Sequence, residues 1–449
     1  MPSPLPKEIG IGLIGFGNIG TGVVRWLQQN GDLINSRLPR PIRLVRIADI
    51  DLTRDRGVSV DPIMLTSDAS ELIRDPKVHI VIELMGGTGK AREIAEETLR
   101  AGKHLVTANK ALLANFGADL MALAREKGVA IGYEASVGAG IPLIRAMHQS
   151  LAPNRFQSVA GVINGTTNFI LTEMDATGRP FADVLGEAQR LGYAEPDPTF
   201  DIEGTDAAHK LAILASLAFG QDIRIGDVSC AGISRLRPEH FRWAERRGLR
   251  IKLLALARMR ADGAVDTRVS PTLVRRNGEI GGVMGVFNAV IFQGEPIGRV
   301  FVYGRGAGQD STSSGVLSDV MVIAAAMEAG GIAREAVLPW PRANKAPFDP
   351  SQSEGEFVLA LETSPVPGSA SGLPGMLEKA GLRLRSWECN APEACEKAAS
   401  AAGAANGSRQ LWIETETVRR GDVDRALALL RDGGYLLNPP QIFYLEREI

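Results

Sequence analysis

The sequence predicts an α/β chain in three parts, and three observations carry that reading. In the first part, apolar strands alternate with helical segments, which is the pattern of a parallel sheet covered on both faces. After Pro142 the alternation gives way to strands separated by turns, an α+β pattern. The last hundred or so residues run strand, helix, strand, strand, helix, strand, the order of a ferredoxin-like unit.

Composition fits this plan. The 449 residues are 45% hydrophobic and 23% charged, an ordinary globular balance with length for two or three domains. A net charge of −2 and the lack of a long like-charge run give no reason to expect nucleic acid or an anionic membrane as partner. Small molecules are the expected partners. Cys230, Cys389 and Cys395 are an odd set without CxxC spacing, so neither a disulfide framework nor a zinc site is expected. No apolar run reaches membrane-spanning length, and MPSPLPKEIG lacks a signal-peptide core. The expected location is the cytoplasm.

IGIGLIGFGNIGTGVVRWLQQN reads as a strand, a glycine turn and a helix. Gly15 permits the tight turn, Gly17 lets backbone approach a pyrophosphate, and Gly20 allows close helix packing, with the helix N-terminus facing the negative charge. Phe16, Asn18 and Ile19 complete this expected cofactor contact. RLVRIADI, VHIVIELMGG, HLVTANK and VAIGYEASVGAG supply further strands, joined by KAREIAEETLRAG and ALLANFGADLMALAREKG. Together they predict a Rossmann dinucleotide-binding domain over residues 8–145, with ligands at the carboxyl ends of its strands. Gly86, Thr107 and Lys110 are placed there as cofactor contacts. Asp49, at the end of the second strand, suits an adenosine ribose and repels a 2′-phosphate, so the cofactor is NAD or NADP with NAD favoured. Arg46, Arg54 and Arg56 complicate that preference.

FQSVAGVINGTTNFILTEM predicts a strand, an Asn-Gly turn and a helix with Thr166 or Thr167 as cap. IKLLALARM, VSPTLVRR, NAVIFQG and RVFVYGRG continue the strands of a domain over 146–338. GRGAGQDSTSSGVLSDVMVIAAAMEAGG offers a glycine loop, with Gly308 as a cofactor contact, and a small-residue helix; residues 305–335 are expected to pack back on the nucleotide domain. Residues 339–354, rich in Pro, Ser and charge, read as a linker to a separate module over 355–449, in which EACEKAASAAGAANGS is a low-complexity excursion.

The densest polar stretch is AQRLGYAEPDPTFDIEGTDAAHK, residues 188–210. Pro196, Pro198 and Gly204 fix the loop, Thr205 is a candidate cap, and Asp206 and Lys210 share one helical face. Such a pair alone is usually an exposed ion pair worth a few tenths of a kcal/mol, roughly. Here the helix continues LAILASLAFG, apolar on every face, so a lysine at its start faces a cleft or bears a desolvation cost.

Ala188, Gly192, Asp197, Pro198, Asp201, Gly204, Asp206 and Lys210 fall at the spacing of the homoserine dehydrogenase signature, which this segment closely resembles. The resemblance extends through GFGNIG, VTANK, YEASVGAGIP, VINGTTNFIL and GRGAG, covering about residues 8–335. The tail resembles an ACT domain, although Pro365, Val366, Pro367 and Gly368 stand where its opening turn usually reads Asp-Arg-Pro-Gly.

The resemblance implies reversible NAD(P)-dependent reduction of L-aspartate 4-semialdehyde to L-homoserine, a step toward threonine, isoleucine and methionine. By the same resemblance Lys210 is the general acid/base, Asp206 holds it or the substrate hydroxyl, Glu195 binds the substrate amino group, and Asp201 shares that acidic, substrate-binding lining. Lys110 then lies near both nicotinamide and substrate and competes with Lys210 for proton transfer. Glu134 and the carbonyls of Val137, Ala139 and Ile141 match a monovalent-cation loop, for which sodium is expected. A homodimer or homotetramer, and an amino-acid effector such as threonine at the ACT domain, also follow from the family. Two rival readings have less support. An ACT-bearing dehydrogenase of the phosphoglycerate or prephenate type needs a catalytic histidine, and His79, His104, His148, His209 and His240 match no such motif. A non-catalytic amino-acid sensor would not need the acidic loop with Lys210.

Overall fold

The computed structural model describes residues 7–328, 340–341, 348–363, 369–390 and 409–449. Its first unit contains β1 (Ile9–Ile14), α1 (Asn18–Ser36), β2 (Ile42–Ala48), β3 (Leu65–Thr66), α2 (Ala69–Arg74), β4 (Ile80–Glu83), α3 (Gly89–Arg100), β5 (His104–Thr107), α4 (Lys110–Lys127) and β6 (Ile131–Gly132). These strands form one parallel sheet in the order β3-β2-β1-β4-β5-β6. Strand order reverses between β1 and β4, so a crevice opens at their carboxyl ends, where the glycine turn lies. β1 and β4 are buried throughout because helices cover both faces, which explains their unbroken apolar sequence.

The middle region adds α5 (Ile144–His148), β7 (Arg155–Val162), α6 (Gly165–Thr177), α7 (Phe181–Arg190), α8 (Thr199–Ile202), α9 (Thr205–Phe219), β8 (Ser229–Cys230), α10 (Pro238–Arg246), β9 (Leu249–Met259), β10 (Val265–Arg275), β11 (Phe287–Glu295), β12 (Gly298–Arg305) and α11 (Gln309–Glu328). The cap of α6 is Asn164, whose side chain accepts the Thr167 N–H at 2.8 Å, rather than either threonine. Asparagine is at least as good an N-cap as threonine, and it stands in the extended conformation a cap needs. α11 returns to the first unit: Gln309 donates to the Asn18 carbonyl at 2.6 Å, and a β-carbon on Gly22 would lie 2.4 Å from the Ser313 hydroxyl.

The C-terminal region comprises β13 (Glu354–Thr363), α12 (Ser369–Lys379), β14 (Leu384–Asn390), β15 (Arg409–Thr415), β16 (Val418–Arg419), α13 (Arg420–Asp432) and β17 (Gln441–Glu446). Its main strands are ordered β17-β13-β15-β14 and pair antiparallel, the ferredoxin-like topology. This sheet is continuous with the middle one through parallel pairing of β17 with β10. Arg268 of β10 reinforces the seam: it pairs with Asp266 at 3.0 Å, reaches Glu446, and stacks 4.0 Å from the Tyr444 ring centre. In the segment read as a linker, Trp340 is buried and lies where a side chain on Gly117 of α4 would have to go. The excursion over 391–408 and the turn at Pro365, Val366, Pro367 and Gly368 lie outside the described residues.

Candidate active site

Chain direction at the site is set by Gly204. Its φ of 85° lies in the left-handed region, and a β-carbon there would crowd Cys230 and Val269 at 2.9 and 3.1 Å. Gly204 therefore occupies the N-cap of α9, and Thr205, expected as the cap, is instead the first helical residue. From Asp206 to Leu217 every residue of α9 is buried, as its all-round apolar sequence requires.

Burial makes the polar start of that helix consequential. Lys210 Nζ lies 2.6 Å from Asp206 Oδ2 and donates to the Ile163 carbonyl at 2.8 Å. Lys110 Nζ approaches the other oxygen, Oδ1, at 2.8 Å. Lys110 opens α4 rather than ending a strand, because Asn109 caps that helix by accepting the Leu112 N–H at 3.0 Å. Asn164 Nδ2 donates to Asp206 at 2.8 Å and to Asp201 at 2.7 Å. One carboxylate thus touches two ammonium groups and an amide. Burial alone would raise its pKa, yet the two lysines hold the Asp206 carboxyl far below the usual range. Burial, opposed by Asp206 and reinforced by Lys110, pushes Lys210 below an ordinary lysine.

These groups line a cavity of about 560 Å³ where the first unit meets the middle region, together with Asn164, Gly165, Thr166, Tyr193 and the glycine loop Gly306–Gly308. Ile19 from the start of α1 also lines it, so the cavity adjoins the glycine turn. A second cavity, about 440 Å³, extends from Gly15 and Gly17 past Asp49. Gly15 has φ 95°, and a β-carbon on Gly20 would meet the Gly15 carbonyl at 2.2 Å; one on Gly17 would meet nothing within 4 Å. The turn is therefore closed behind and open in front, and α1 begins without a side-chain cap, leaving its N–H groups for an anion. These residues fit a dinucleotide. Phe16 is buried, Asn18 is exposed, Gly86 stands at φ 76° beyond β4, and Thr107 is wholly buried, with its hydroxyl on Glu83.

Asp49 accepts the Phe16 N–H at 2.5 Å and the Asp51 N–H at 2.9 Å. Arg56 stacks on Phe16 at 4.6 Å and donates to the carbonyls of Phe16 and Arg54 at 2.5 and 2.8 Å. Arg46 pairs with Glu71 and Asp75, both at 3.2 Å.

A second acidic cluster lies against the middle of α11. Glu134 is buried, and its two oxygens accept the N–H groups of Ile144 and Arg145 at 3.0 and 2.7 Å. Its own N–H donates to Asp319 at 2.8 Å, and Arg145 pairs with Asp319 at 2.8 Å. Burial and the nearby Glu134 push the Asp319 carboxyl up to about 7. Val137, Ala139 and Ile141 follow in the same turn, and Ala139 is held at φ 55°, rare for a side-chain-bearing residue. Among the described residues, no three His, Cys, Asp or Glu side chains converge as a metal cluster.

Of the residues read from sequence, Asp201, Asp206, Lys110 and Lys210 come together in one cavity. Glu195 does not: it is exposed, two residues beyond the cavity-lining Tyr193. The histidines stay outside, each in local contacts such as the His79 Nδ1 that accepts the Gly10 N–H at 2.9 Å. Asn164, which joins both aspartates, has no such signal in the sequence. Its Asn-Gly setting reads as a turn, and only the apolar strand before it hints at a buried position.

Family models described as homoserine dehydrogenase, NAD binding domain, and homoserine dehydrogenase match residues 15–134 and 142–321. A homoserine dehydrogenase of Neisseria gonorrhoeae is 41% identical over 356 residues, covering 79% of this chain and 80% of its own. The crystal structure of a homoserine dehydrogenase from Thiobacillus denitrificans superposes with a TM-score of 0.88 at 35% identity, covering 98% of this chain and 99% of its own. A hyperthermophilic archaeal homoserine dehydrogenase in complex with NADPH matches 70% of this chain and 97% of its own, at 26% identity and a TM-score of 0.59.

Proposed function

The chain belongs to the homoserine dehydrogenase family, enzymes that interconvert L-aspartate 4-semialdehyde and L-homoserine with a nicotinamide cofactor, and from that premise we propose what its own residues do. Gly15, Gly17 and the uncapped start of α1 would hold the dinucleotide, which would supply a hydride for the aldehyde carbon. Charge then builds on the carbonyl oxygen and must be met by a proton. Lys210 delivers that proton from Nζ, and in the reverse direction takes it from the hydroxyl of homoserine. The observation that carries this reading is the double ion pair at Asp206. One buried carboxylate positions Lys210 and Lys110 together, while the remaining positive charge favours the developing alkoxide.

Asn164 keeps Asp201 and Asp206 apart and oriented. Asp201 and Glu195 are assigned to the substrate's α-amino group, with Glu195 reaching it only when the loop over 192–198 moves inward. The division of labour follows the chain: residues 8–145 hold the cofactor, 146–338 the substrate and the dimer contact, and 355–449 regulate. A full-length Lys210→Ala enzyme should lose about three orders of magnitude in kcat while its cofactor affinity is unchanged. Wild-type turnover in that variant would remove Lys210 from the mechanism.

NAD is the favoured cofactor, because Asp49 stands at the end of β2 while Arg56 is engaged by backbone carbonyls and by Asp49 itself at 3.4 Å, and Arg46 by carboxylates. A higher kcat/KM with NADP would reverse this assignment. Glu134 and the carbonyls of Val137, Ala139 and Ile141 are assigned to a sodium ion. Two buried carboxylates lie there beside one guanidinium, and Glu134 keeps lone-pair capacity beyond the main-chain N–H groups it accepts. The melting temperature should then be higher in sodium chloride than in choline chloride at equal ionic strength; equal values would exclude the ion. A homodimer is assigned to the edge strand β12, which exposes Phe301 and Tyr303 beside Ile297, and a monomeric mass in solution would refute it. Threonine is the proposed effector of the C-terminal unit, and rates indifferent to added threonine would dismiss it.

A further inference from the structure

Glu83, the last residue of β4, is wholly buried and has no part in the proton transfer assigned above. A carboxyl group inside a parallel sheet is costly unless its lone pairs are matched. One Glu83 oxygen accepts the Met85 N–H at 2.8 Å, and the other accepts the Thr107 hydroxyl at 2.6 Å. Thr107 is the register partner of Glu83 on β5, and its oxygen in turn accepts the Asn109 N–H at 2.9 Å. Asn109 donates to the Gly87 carbonyl at 2.7 Å and caps α4, whose first residue is Lys110.

Two consecutive strand ends are thereby laced together by one acid. Met85 lines the cavity on the Asp49 side, and Ala108 and Lys110 line the catalytic cavity, so the laced loops stand on both parts of the cofactor groove. The main chain at Leu84 and Met85 also abuts the glycine turn, since a β-carbon on Gly15 would lie 2.7 Å from the Leu84 carbonyl. An apolar residue would fill the same buried position without the desolvation cost of an acid. The acid adds direction: it fixes where the two loops stand relative to each other, and through Asn109 where Lys110 begins.

We propose that Glu83 is a positioning residue for hydride transfer, holding the loops after β4 and β5 at the separation the nicotinamide ring needs and aiming Lys110 at Asp206. This rests on the active site assigned above, but its test does not pass through Lys210. Full-length Glu83→Gln is titrated calorimetrically with NAD and with ADP-ribose, which lacks the nicotinamide. The expected result is an NAD affinity lowered by about tenfold, with ADP-ribose affinity within about twofold of wild type. In parallel, kcat should fall by about ten- to a hundredfold, and the isotope effect with homoserine deuterated at its carbinol carbon should rise as hydride transfer becomes limiting.

Equal weakening of both ligands would mean that the groove has merely loosened, and would overturn the proposal. So would a lowered kcat with an unchanged isotope effect, or wild-type NAD affinity. Should the glutamine variant fail to fold, Thr107→Val, which removes only the linking hydroxyl, is titrated and assayed in the same way, and the same results support or overturn the proposal. A failure of the Lys210 assignment would show separately, because Lys210→Ala is expected to leave NAD affinity intact.

Discussion

Two buried carboxylates in this molecule lie on opposite sides of the ordinary carboxylate pKa. Asp206 and Asp319 are both almost fully enclosed, yet Asp206 is held far below the usual carboxylate range and Asp319 is pushed up to about 7. The difference lies in the neighbours. Asp206 touches two ammonium groups and an amide, whereas Asp319 pairs with one guanidinium and lies beside Glu134, another acid. Desolvation alone raises a carboxyl pKa, and at Asp206 close opposite charge and the hydrogen bonds it makes reverse that effect. The site with surplus positive charge is assigned the chemistry; the one with surplus negative charge is the candidate cation site.

The largest loss is expected at Asp206. Asp206→Asn removes the only carboxylate both lysines touch among the described residues, and kcat should fall by at least about a hundredfold; activity within threefold of wild type, measured by initial rates, would show that the pair needs no shared anion. Next is Arg145→Met, which leaves Glu134 and Asp319 without their guanidinium. Denaturant unfolding should show a loss of about 3–5 kcal/mol, and a smaller loss in sodium than in choline would sharpen the cation assignment.

A subtler consequence concerns pH. Between the ordinary carboxylate value, about 4, and about 7, folded Asp319 keeps a proton that the unfolded chain has lost, so its contribution to stability falls as pH rises through that window. Asp319→Asn should flatten that slope, as read from unfolding free energies at several pH values; an unaltered slope would locate the proton elsewhere. The smallest effect is expected outside both clusters. Glu195→Ala should raise KM for homoserine by about tenfold with little change in kcat, and an unchanged KM would remove Glu195 from the site.

How much of this is legible in the sequence follows from how local each signal is. The glycine turn and the Asp206–Lys210 spacing are local, and both stand where the pattern puts them, whereas β5 ends at Thr107, before Lys110. Lys110 shows the limit. Its place beside β5 can be read, but its meeting with Asp206 depends on how α4 and α9 pack, which no short window records. The same holds for Asp319 and Arg145, and for the β10–β17 pairing that makes one sheet of two regions, because parallel pairing between distant strands leaves no turn signature. Buried Trp340 is hidden by its company: proline and charge around it read as solvent-exposed linker. At the helix caps only the choice of residue differs, with Asn164 in place of Thr166 or Thr167, and Gly204 in place of Thr205.

Proton transfer by the Lys210 ammonium is open to chemical rescue. Small primary amines added to Lys210→Ala and to Lys110→Ala should restore turnover in the first, with a rate that tracks the amine's basicity, and leave the second unchanged. Rescue of Lys110→Ala alone would contradict the account and hand the proton to the other lysine.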